Sequence, residues 1–169
     1  MWIVAHTAPR AEAAVVQGLT AMRYQTFWPH YRKQVCHAKQ RAKETLVSLF
    51  PRYVFVRVVE AIYDVTTHAG VYSVLSMDGR PAEIPPGEIE YWQQSCVDET
   101  GCLGWVNGKD PERVRYAVGQ PVRVIEGPLT GYDANVHVDN GASIRLNVAL
   151  FQGRVEAELP PEAVKPRRP

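Results

Sequence analysis

The chain has 169 residues, 46% of them apolar, and a formal net charge of +1, which fits one or two small domains with a packed core. No apolar run is long enough to span a bilayer, and no basic region precedes the short apolar run at the N-terminus, so neither a membrane span nor a signal peptide is expected. The three cysteines show no C-x-x-C spacing. Cysteine usage therefore favours a reducing, cytoplasmic compartment and argues against a disulfide framework or a zinc site.

The small net charge conceals two blocks of opposite sign. Residues 29–57 carry seven Lys or Arg against one acid, Glu44, whereas residues 58–112 carry ten acids against two basic residues. The basic block suits contact with nucleic acid, and the acidic block suits a basic protein surface. Ordinary solvation is the alternative for any single charge.

The first 98 residues predict an α+β sandwich with a mostly antiparallel sheet, in the order β-α-β-β-α-β-α. A helix that begins at Pro9 would present Ala11, Val15, Leu19 and Met22 on one face. The other predicted elements are strands at residues 2–6, 27–35, 53–59 and 71–77, a basic hairpin tip at 36–43, a short helix at 61–68 and a third helix after residues 85–87.

Residues 122–134, VRVIEGPLTGYDA, hold the most informative pattern in the chain. A strand-like run leads into Gly127 and Pro128, where proline presets a turn and glycine permits unusual backbone conformations. Further strands are predicted at 134–138, 143–151 and 155–159, with a turn at 139–141. Residues 117–169 therefore predict a small, bent β-barrel of about five strands. Residues 99–116, where periodicity fades, predict a flexible linker.

Two sequence anchors carry a resemblance to a known family. One is the strand 2–4 followed by a helix and then the run LFPRYVFV at 49–56, and the other is Val118-Gly119 leading into residues 122–134. Together they resemble the NusG family of transcription elongation factors, also called Spt5-like. At Gly127-Pro128-Leu129 and Ala134, the chain resembles the specialised paralogs of RfaH type within this family. The resemblance implies a NusG-like N-terminal domain over 1–98 and an SH3-like KOW β-barrel over 117–169.

The resemblance also implies a surface for RNA polymerase. Phe50, Tyr53 and Phe55 would form an apolar patch that receives the clamp helices of the largest polymerase subunit, and aromatic rings are good interface anchors. From strand alternation alone, the alternative is that the rings are core beneath a helix. Near the position where RfaH touches the polymerase gate loop, the sequence offers Thr66, Thr67 and His68.

The charge pattern and the resemblance predict three further surfaces. A basic stretch could contact phosphates of the transcription-bubble DNA, which adds affinity and salt dependence without sequence choice, while His6, Arg10 and Arg23 would lie on another part of the domain that reads DNA. The barrel would recruit Rho or a small-subunit ribosomal protein. The basic stretch comprises Arg32, Lys33, His37, Lys39, Arg41 and Lys43, and the family's apolar contact surface on the barrel maps to Leu129, Tyr132, Leu146 and Phe151.

The predicted function is that of a monomeric transcription elongation or antitermination factor without enzymatic activity, metal or cofactor. Cys36-His37 is a poor candidate for catalysis, because neighbouring residues usually point apart. A KOW-type RNA-binding or ribosome-associated protein is the alternative. Because β-branched residues and glycines favour strands over helix, we expect the C-terminal domain to be a barrel in the free protein, with the polymerase patch open or only loosely covered. The interdomain ion pair of RfaH falls at Val47 and Ser143, which are uncharged.

Overall fold

The computed structural model describes residues 1–35, 43–59, 62–106, 116–141, 143–150 and 153–167. It confirms a mixed α+β fold in which antiparallel strands predominate. In chain order the N-terminal elements are β1 (Trp2–Thr7), α1 (Glu12–Ala21), β2 (Gln25–Phe27), β3 (His30–Val35), β4 (Lys43–Ser48), β5 (Tyr53–Arg57), α2 (Tyr63–Thr67), β6 (Val71–Val74), β7 (Ser76–Met77), β8 (Arg80–Pro81), α3 (Pro86–Gln94) and β9 (Cys102–Val106).

The central sheet of the N-terminal half has four antiparallel strands in the order β2-β5-β1-β6. Side chains alternate between its two faces. One face packs against α1, whose Val15 and Leu19 are fully buried. The other face carries Trp2, Val4 and Phe55 and packs against α3. This second face also carries the predicted polymerase-binding patch.

Helix α1 begins at Glu12 rather than at Pro9 as predicted. Ala11 provides no side-chain cap, and the Glu12 carboxylate instead accepts a 2.8 Å hydrogen bond from the backbone N–H of Arg52. Glu12 is thereby buried, which a carboxylate tolerates when it is hydrogen-bonded. Met22, predicted on the apolar face, is 47% exposed, because the helix has ended one residue earlier.

The strand predicted over residues 27–35 is broken in two. Pro29 cannot donate a ladder hydrogen bond, so β2 ends at Phe27 and β3 starts at His30 in a different sheet. At the break the buried Trp28 indole donates to Ser48 Oγ at 2.9 Å. Strands β3 and β4 then form an antiparallel hairpin. Its tip, residues 36–42, lies outside the described residues.

Strand β9 lies within the segment predicted as a flexible linker, so that prediction was wrong for residues 102–106. It runs parallel to β3, with Cys102 opposite His30. Cys102 is fully buried, and Gly101 sits against the Trp28 carbonyl so closely that a Cβ there would lie 2.6 Å from the oxygen. Burial and the Gly101 contact therefore fix the first part of the segment to the N-terminal half.

The C-terminal half is a five-stranded antiparallel sheet in the order β13-β12-β11-β10-β14. Strands lie at the predicted positions 134–138, 143–151 and 155–159, and in β12 every second residue from Ile144 to Leu150 is buried. Strand β14 and the short 3₁₀ helix before it were not predicted. The elements are β10 (Pro121–Val124), β11 (Asp133–Asp139), β12 (Ile144–Leu150), β13 (Gly153–Leu159), the 3₁₀ helix Pro161–Ala163 and β14 (Val164–Pro166).

The two halves share one apolar cluster. It joins Phe50, Phe55 and Trp92 of the N-terminal half to residues of the five-stranded sheet such as Leu129 and Leu146. The backbone also connects the halves, since the N–H of Glu158 donates to the carbonyl oxygen of Leu49 at 2.7 Å. We refer to this arrangement as the closed form. In the described part of the chain, no helix has the length and apolar character needed to cross a membrane.

Candidate functional site

The predicted patch is a cluster of aromatic rings on the α3-facing side of the central sheet. The Phe55 ring lies 5.7 Å from Phe50, 5.3 Å from Trp92 and 6.0 Å from Phe27, measured between ring centroids. Such tilted and edge-on contacts are favourable geometries for aromatic pairs. Phe50 and Phe55 are completely buried, whereas Tyr53 is half-buried.

The expectation that this patch is open or only loosely covered was wrong. Phe50 and Phe55 have no exposed surface, because both rings pack against Trp92 of α3 and belong to the apolar cluster shared with the five-stranded sheet. In this structure they are core beneath a helix, the alternative that strand alternation offered. Sequence reasoning missed Trp92 as part of the patch. Its position on the apolar face of the third helix was the available signal.

His6 lies beside Tyr53 and therefore does not form a separate surface with Arg10 and Arg23. The His6 ring is 5.5 Å from Tyr53 and 6.2 Å from Tyr72, and the Arg52 guanidinium lies 5.6 Å from the Tyr72 ring centroid. Partial burial, and then the positive charge of Arg52, lower the pKa of His6. The imidazole is thus neutral at pH 7, and this edge of the patch stays open, with Tyr72 64% exposed.

The three residues near the expected gate-loop contact differ in accessibility. Thr66 and Thr67 are exposed, and both hydroxyls donate to the Tyr63 carbonyl oxygen within α2. His68 is half-buried and packs against α1, so tightly that a Cβ at Gly18 would lie 2.1 Å from its Nε2. Of the three, only the threonines are exposed to a partner in this structure.

The basic candidates are not equivalent. The Arg32 guanidinium pairs with Asp98 at 2.9 Å and with Glu44 at 3.6 Å, so part of the charge segregation seen in the sequence is neutralised within the fold. Arg10 is exposed, and Arg23 lines an open groove with Arg57. Lys33 lies half-buried on β3. His37, Lys39 and Arg41 fall outside the described residues, and of Lys43 only its backbone place in β4 is described.

The residues predicted to recruit a second partner are largely covered in the closed form. Leu129 and Leu146 are fully buried in the shared cluster, and Tyr132 is half-buried against it. Burial, and then the charge of Glu88 on α3, raise the pKa of Tyr132. Phe151 lies outside the described residues.

Reactive or metal-binding groups are not brought together in the described ranges. There, no group of three or more His, Cys, Asp or Glu could hold a metal ion. Burial, Asp98 and Cys102 raise the pKa of Cys96 to about 11, so its thiol remains protonated at pH 7. The pair Cys36-His37 lies outside the described residues.

The sequence of the N-terminal half identifies the family to which the chain belongs. A family model described as transcription termination factor nusG matches residues 1–93, which is more than half of the chain. The chain belongs to the NusG family. Membership in the NusG family makes the protein a transcription factor rather than an enzyme, and it confirms the resemblance read from the sequence anchors.

A solved structure of NusG agrees with this fold. The chain is similar to NusG from Thermotoga maritima, described for its domain interaction, with a TM-score of 0.52 and 18% identity over 99% of this chain and 97% of that one. Two conformations of the MjSpt4:Spt5 complex align with 17% and 20% identity and TM-scores of 0.31 and 0.32, over 99% and 100% of this chain and 98% of each of those chains. No curated protein matches the chain.

Proposed function

We propose that this protein is a transcription elongation and antitermination factor that binds RNA polymerase through Phe50, Tyr53 and Phe55. The observation that carries the proposal is the position of these residues on one sheet face, where buried Phe50 and Phe55 continue into the half-open Tyr53 and the exposed Tyr72. Clustered aromatics concentrate interface energy. The clamp helices of the largest polymerase subunit are the proposed partner.

Polymerase binding then requires the closed form to open. Phe50 and Phe55 cannot contact another protein while they are buried, and Trp92 of α3 packs on both rings, so α3 must move together with the five-stranded sheet. Polymerase would select the open form and shift the population toward it. Once bound across the DNA cleft, the N-terminal domain would brace the clamp and disfavour its open, pause-prone state. This mechanism requires no covalent chemistry.

We further propose that the five-stranded sheet is a KOW β-barrel with its own partner. Leu129 and Tyr132 pack in the cluster shared with the N-terminal half, so the same opening that frees the polymerase patch frees them. A small-subunit ribosomal protein or Rho is the proposed partner. Recruitment would therefore follow polymerase binding.

DNA of the transcription bubble is a secondary contact in this proposal. Arg10 and Arg23 carry accessible charges on the N-terminal half, and the basic hairpin tip with Lys39, Arg41 and Lys43 would add more. Phosphate contacts of this kind strengthen binding and make it salt-dependent. Neutralising the three hairpin residues should flatten the salt dependence of binding to elongation complexes but leave binding to polymerase alone intact.

Capture from lysate with the full chain tests the proposal. The tagged protein should retain RNA polymerase subunits, and Tyr53→Ser should reduce that retention at least about tenfold, as expected for an aromatic anchor. Val118→Ser is the control, since Val118 is 76% exposed before β10 and lies outside every predicted contact surface. Ribosomal particles captured without polymerase would contradict the proposal and favour a ribosome-associated KOW protein.

A further inference from the structure

A small cavity lies at the seam between the two halves of the closed form. Its volume is about 150 Å³. Tyr31, Ser95 and Leu103 line it from the N-terminal half, and Glu126, Pro128 and Glu162 are among the residues that line it from the C-terminal half. The cavity therefore exists only where the halves meet, and anything bound there touches both.

The Tyr31 side chain forms the polar floor of this cavity. Tyr31 is 7% exposed, yet its phenol oxygen makes no hydrogen bond to any residue in the described ranges. The opposite wall approaches it closely, since a Cβ at Gly127 would lie 3.3 Å from that oxygen. The phenol oxygen therefore faces the cavity with its hydrogen-bonding capacity unused, and it can accept or donate a hydrogen bond there.

The electrostatic character of the cavity is negative. Glu126 and Glu162 are exposed at its mouth, and none of the residues that line it is basic. Burial, and then the charges of Glu126, Cys96 and Glu162, raise the pKa of Tyr31, so the phenol stays neutral and keeps its lone pairs available. Leu103 and Pro128 add apolar walls between mouth and floor.

We propose that this cavity binds an organic cation, an ammonium or guanidinium group on a short aliphatic stem. The two carboxylates would pair with the charge, the Tyr31 oxygen would accept one of its N–H groups, and the apolar walls would cover the stem. A cavity of this volume can hold such a group, with the aliphatic stem packed against the apolar walls and the charge beside the carboxylates. A free polyamine and an arginine or lysine side chain of a partner share this chemistry.

Occupancy of the site would stabilise the closed form. A ligand that binds only when both walls are present shifts the equilibrium toward closure by mass action, in proportion to its concentration over its dissociation constant. The binding claim does not depend on the proposed function. If polymerase binding follows from that function, the cation would oppose it.

Calorimetric titration of the full chain tests the site with two probes, spermidine and N-acetyl-arginine amide. We expect saturable, one-to-one binding that weakens at least about tenfold in the double variant Glu126→Gln/Glu162→Gln, because charge-assisted hydrogen bonds supply most of the affinity. Tyr31→Phe should weaken it less. The matched control is Glu83→Gln/Glu90→Gln, which removes two exposed carboxylates outside the cavity.

The outcomes separate the two sources of the cation. Spermidine binding that depends on Glu126 and Glu162 supports a free polyamine, and binding of the arginine probe alone supports a partner side chain. If neither probe binds saturably, the proposal is overturned. It is also overturned if the control pair of substitutions weakens binding as much as Glu126→Gln/Glu162→Gln does. Circular dichroism of each variant shows whether the fold is retained, and polymerase capture reports the proposed function separately.

Discussion

The backbone N–H of Glu158 donates a 2.7 Å hydrogen bond to the carbonyl oxygen of Leu49. Glu158 lies on β13, an edge of the five-stranded sheet. Leu49 follows β4, an edge of the three-stranded sheet β4-β3-β9. The bond thereby pairs a backbone N–H on one sheet edge with a backbone carbonyl beside the other edge. Next to this bond, Ser143 Oγ donates to Glu158 Oε1 at 2.6 Å. The resemblance to RfaH places an interdomain ion pair at Val47 and Ser143, which are uncharged, and here a main-chain bond between Leu49 and Glu158 joins the halves.

Glu158→Pro should loosen the closed form, because proline removes the N–H that reaches Leu49. Proline is tolerated on an edge strand when its missing N–H points away from the sheet. Loss of about 1 kcal/mol corresponds to a roughly fivefold larger open population. Hydrogen exchange at the seam should quicken, and polymerase capture should increase.

Glu156→Pro is the control for that substitution. Glu156 lies two residues earlier on β13, so its N–H points the same way, but its carboxylate bonds only within the five-stranded sheet, to His137 and Arg145. Equal loosening by both prolines would show that damage to β13, and not loss of the Leu49 bond, causes the effect.

Gly18→Ala should destabilise the protein, although alanine normally favours a helix by about 1 kcal/mol over glycine. The new methyl group would lie 2.1 Å from Nε2 of His68, so the imidazole must move or the fold must strain. In a His68→Ala background the same substitution should stabilise. Urea denaturation of the four proteins measures this change of sign, and a stabilising effect in both backgrounds would contradict the observed packing.

The lowered pKa of His6 predicts a loss of stability at acidic pH. The folded state disfavours the charged imidazole, and the unfolded chain titrates near 6.5. The unfolded state therefore binds more protons below that pH, and stability is lost as pH falls from 6.5 through the folded pKa. His6→Gln should show a smaller loss between pH 7.5 and 5 in urea denaturation. In NMR titration, Arg52→Gln should raise the pKa of His6, because the substitution removes a positive charge that lowers it.

Arg32→Gln should affect stability rather than nucleic-acid binding. Its guanidinium is held by Asp98, at side-chain exposures of 35% and 32% for the two residues, so solvent screens the pair only in part. A double-mutant cycle with Asp98→Asn should give a coupling of about 0.5–1 kcal/mol. The salt dependence of binding to elongation complexes should match that of the unaltered protein, and a flatter slope would return Arg32 to the phosphate-contacting set.

The local sequence pattern was sufficient to predict the strands in which buried and exposed residues alternate regularly. Alternation in β5 correctly placed Tyr53 and Phe55 on one face, and the turn at 139–141 correctly separated β11 from β12. Strand β9 was missed because its residues pair in parallel with a distant strand and are interrupted by Gly104. Parallel pairing leaves no hairpin signal in the sequence.

Burial of the patch could not be predicted from the sequence, because it depends on how the two halves pack together. Each half shows the same local pattern of apolar and polar residues whether or not it packs against the other. The apolar residues of β12 predict a buried sheet face whether or not Phe55 packs in the same cluster. The environment of His6 was hidden for a similar reason. Arg52 and Tyr72 lie on other segments, and only the strand order brings them together.

Anchoring of β9 to β3 sets how far the two halves can separate. Val106 and Tyr116 are ten positions apart, and a stretch of that length reaches at most roughly 36 Å in any conformation. The C-terminal half therefore remains tethered to the N-terminal half at a local concentration on the order of millimolar. Under the proposed function, the surface freed when polymerase dissociates would be recaptured at once by the same chain, so release from polymerase and return to the closed form would be coupled through the covalent connection.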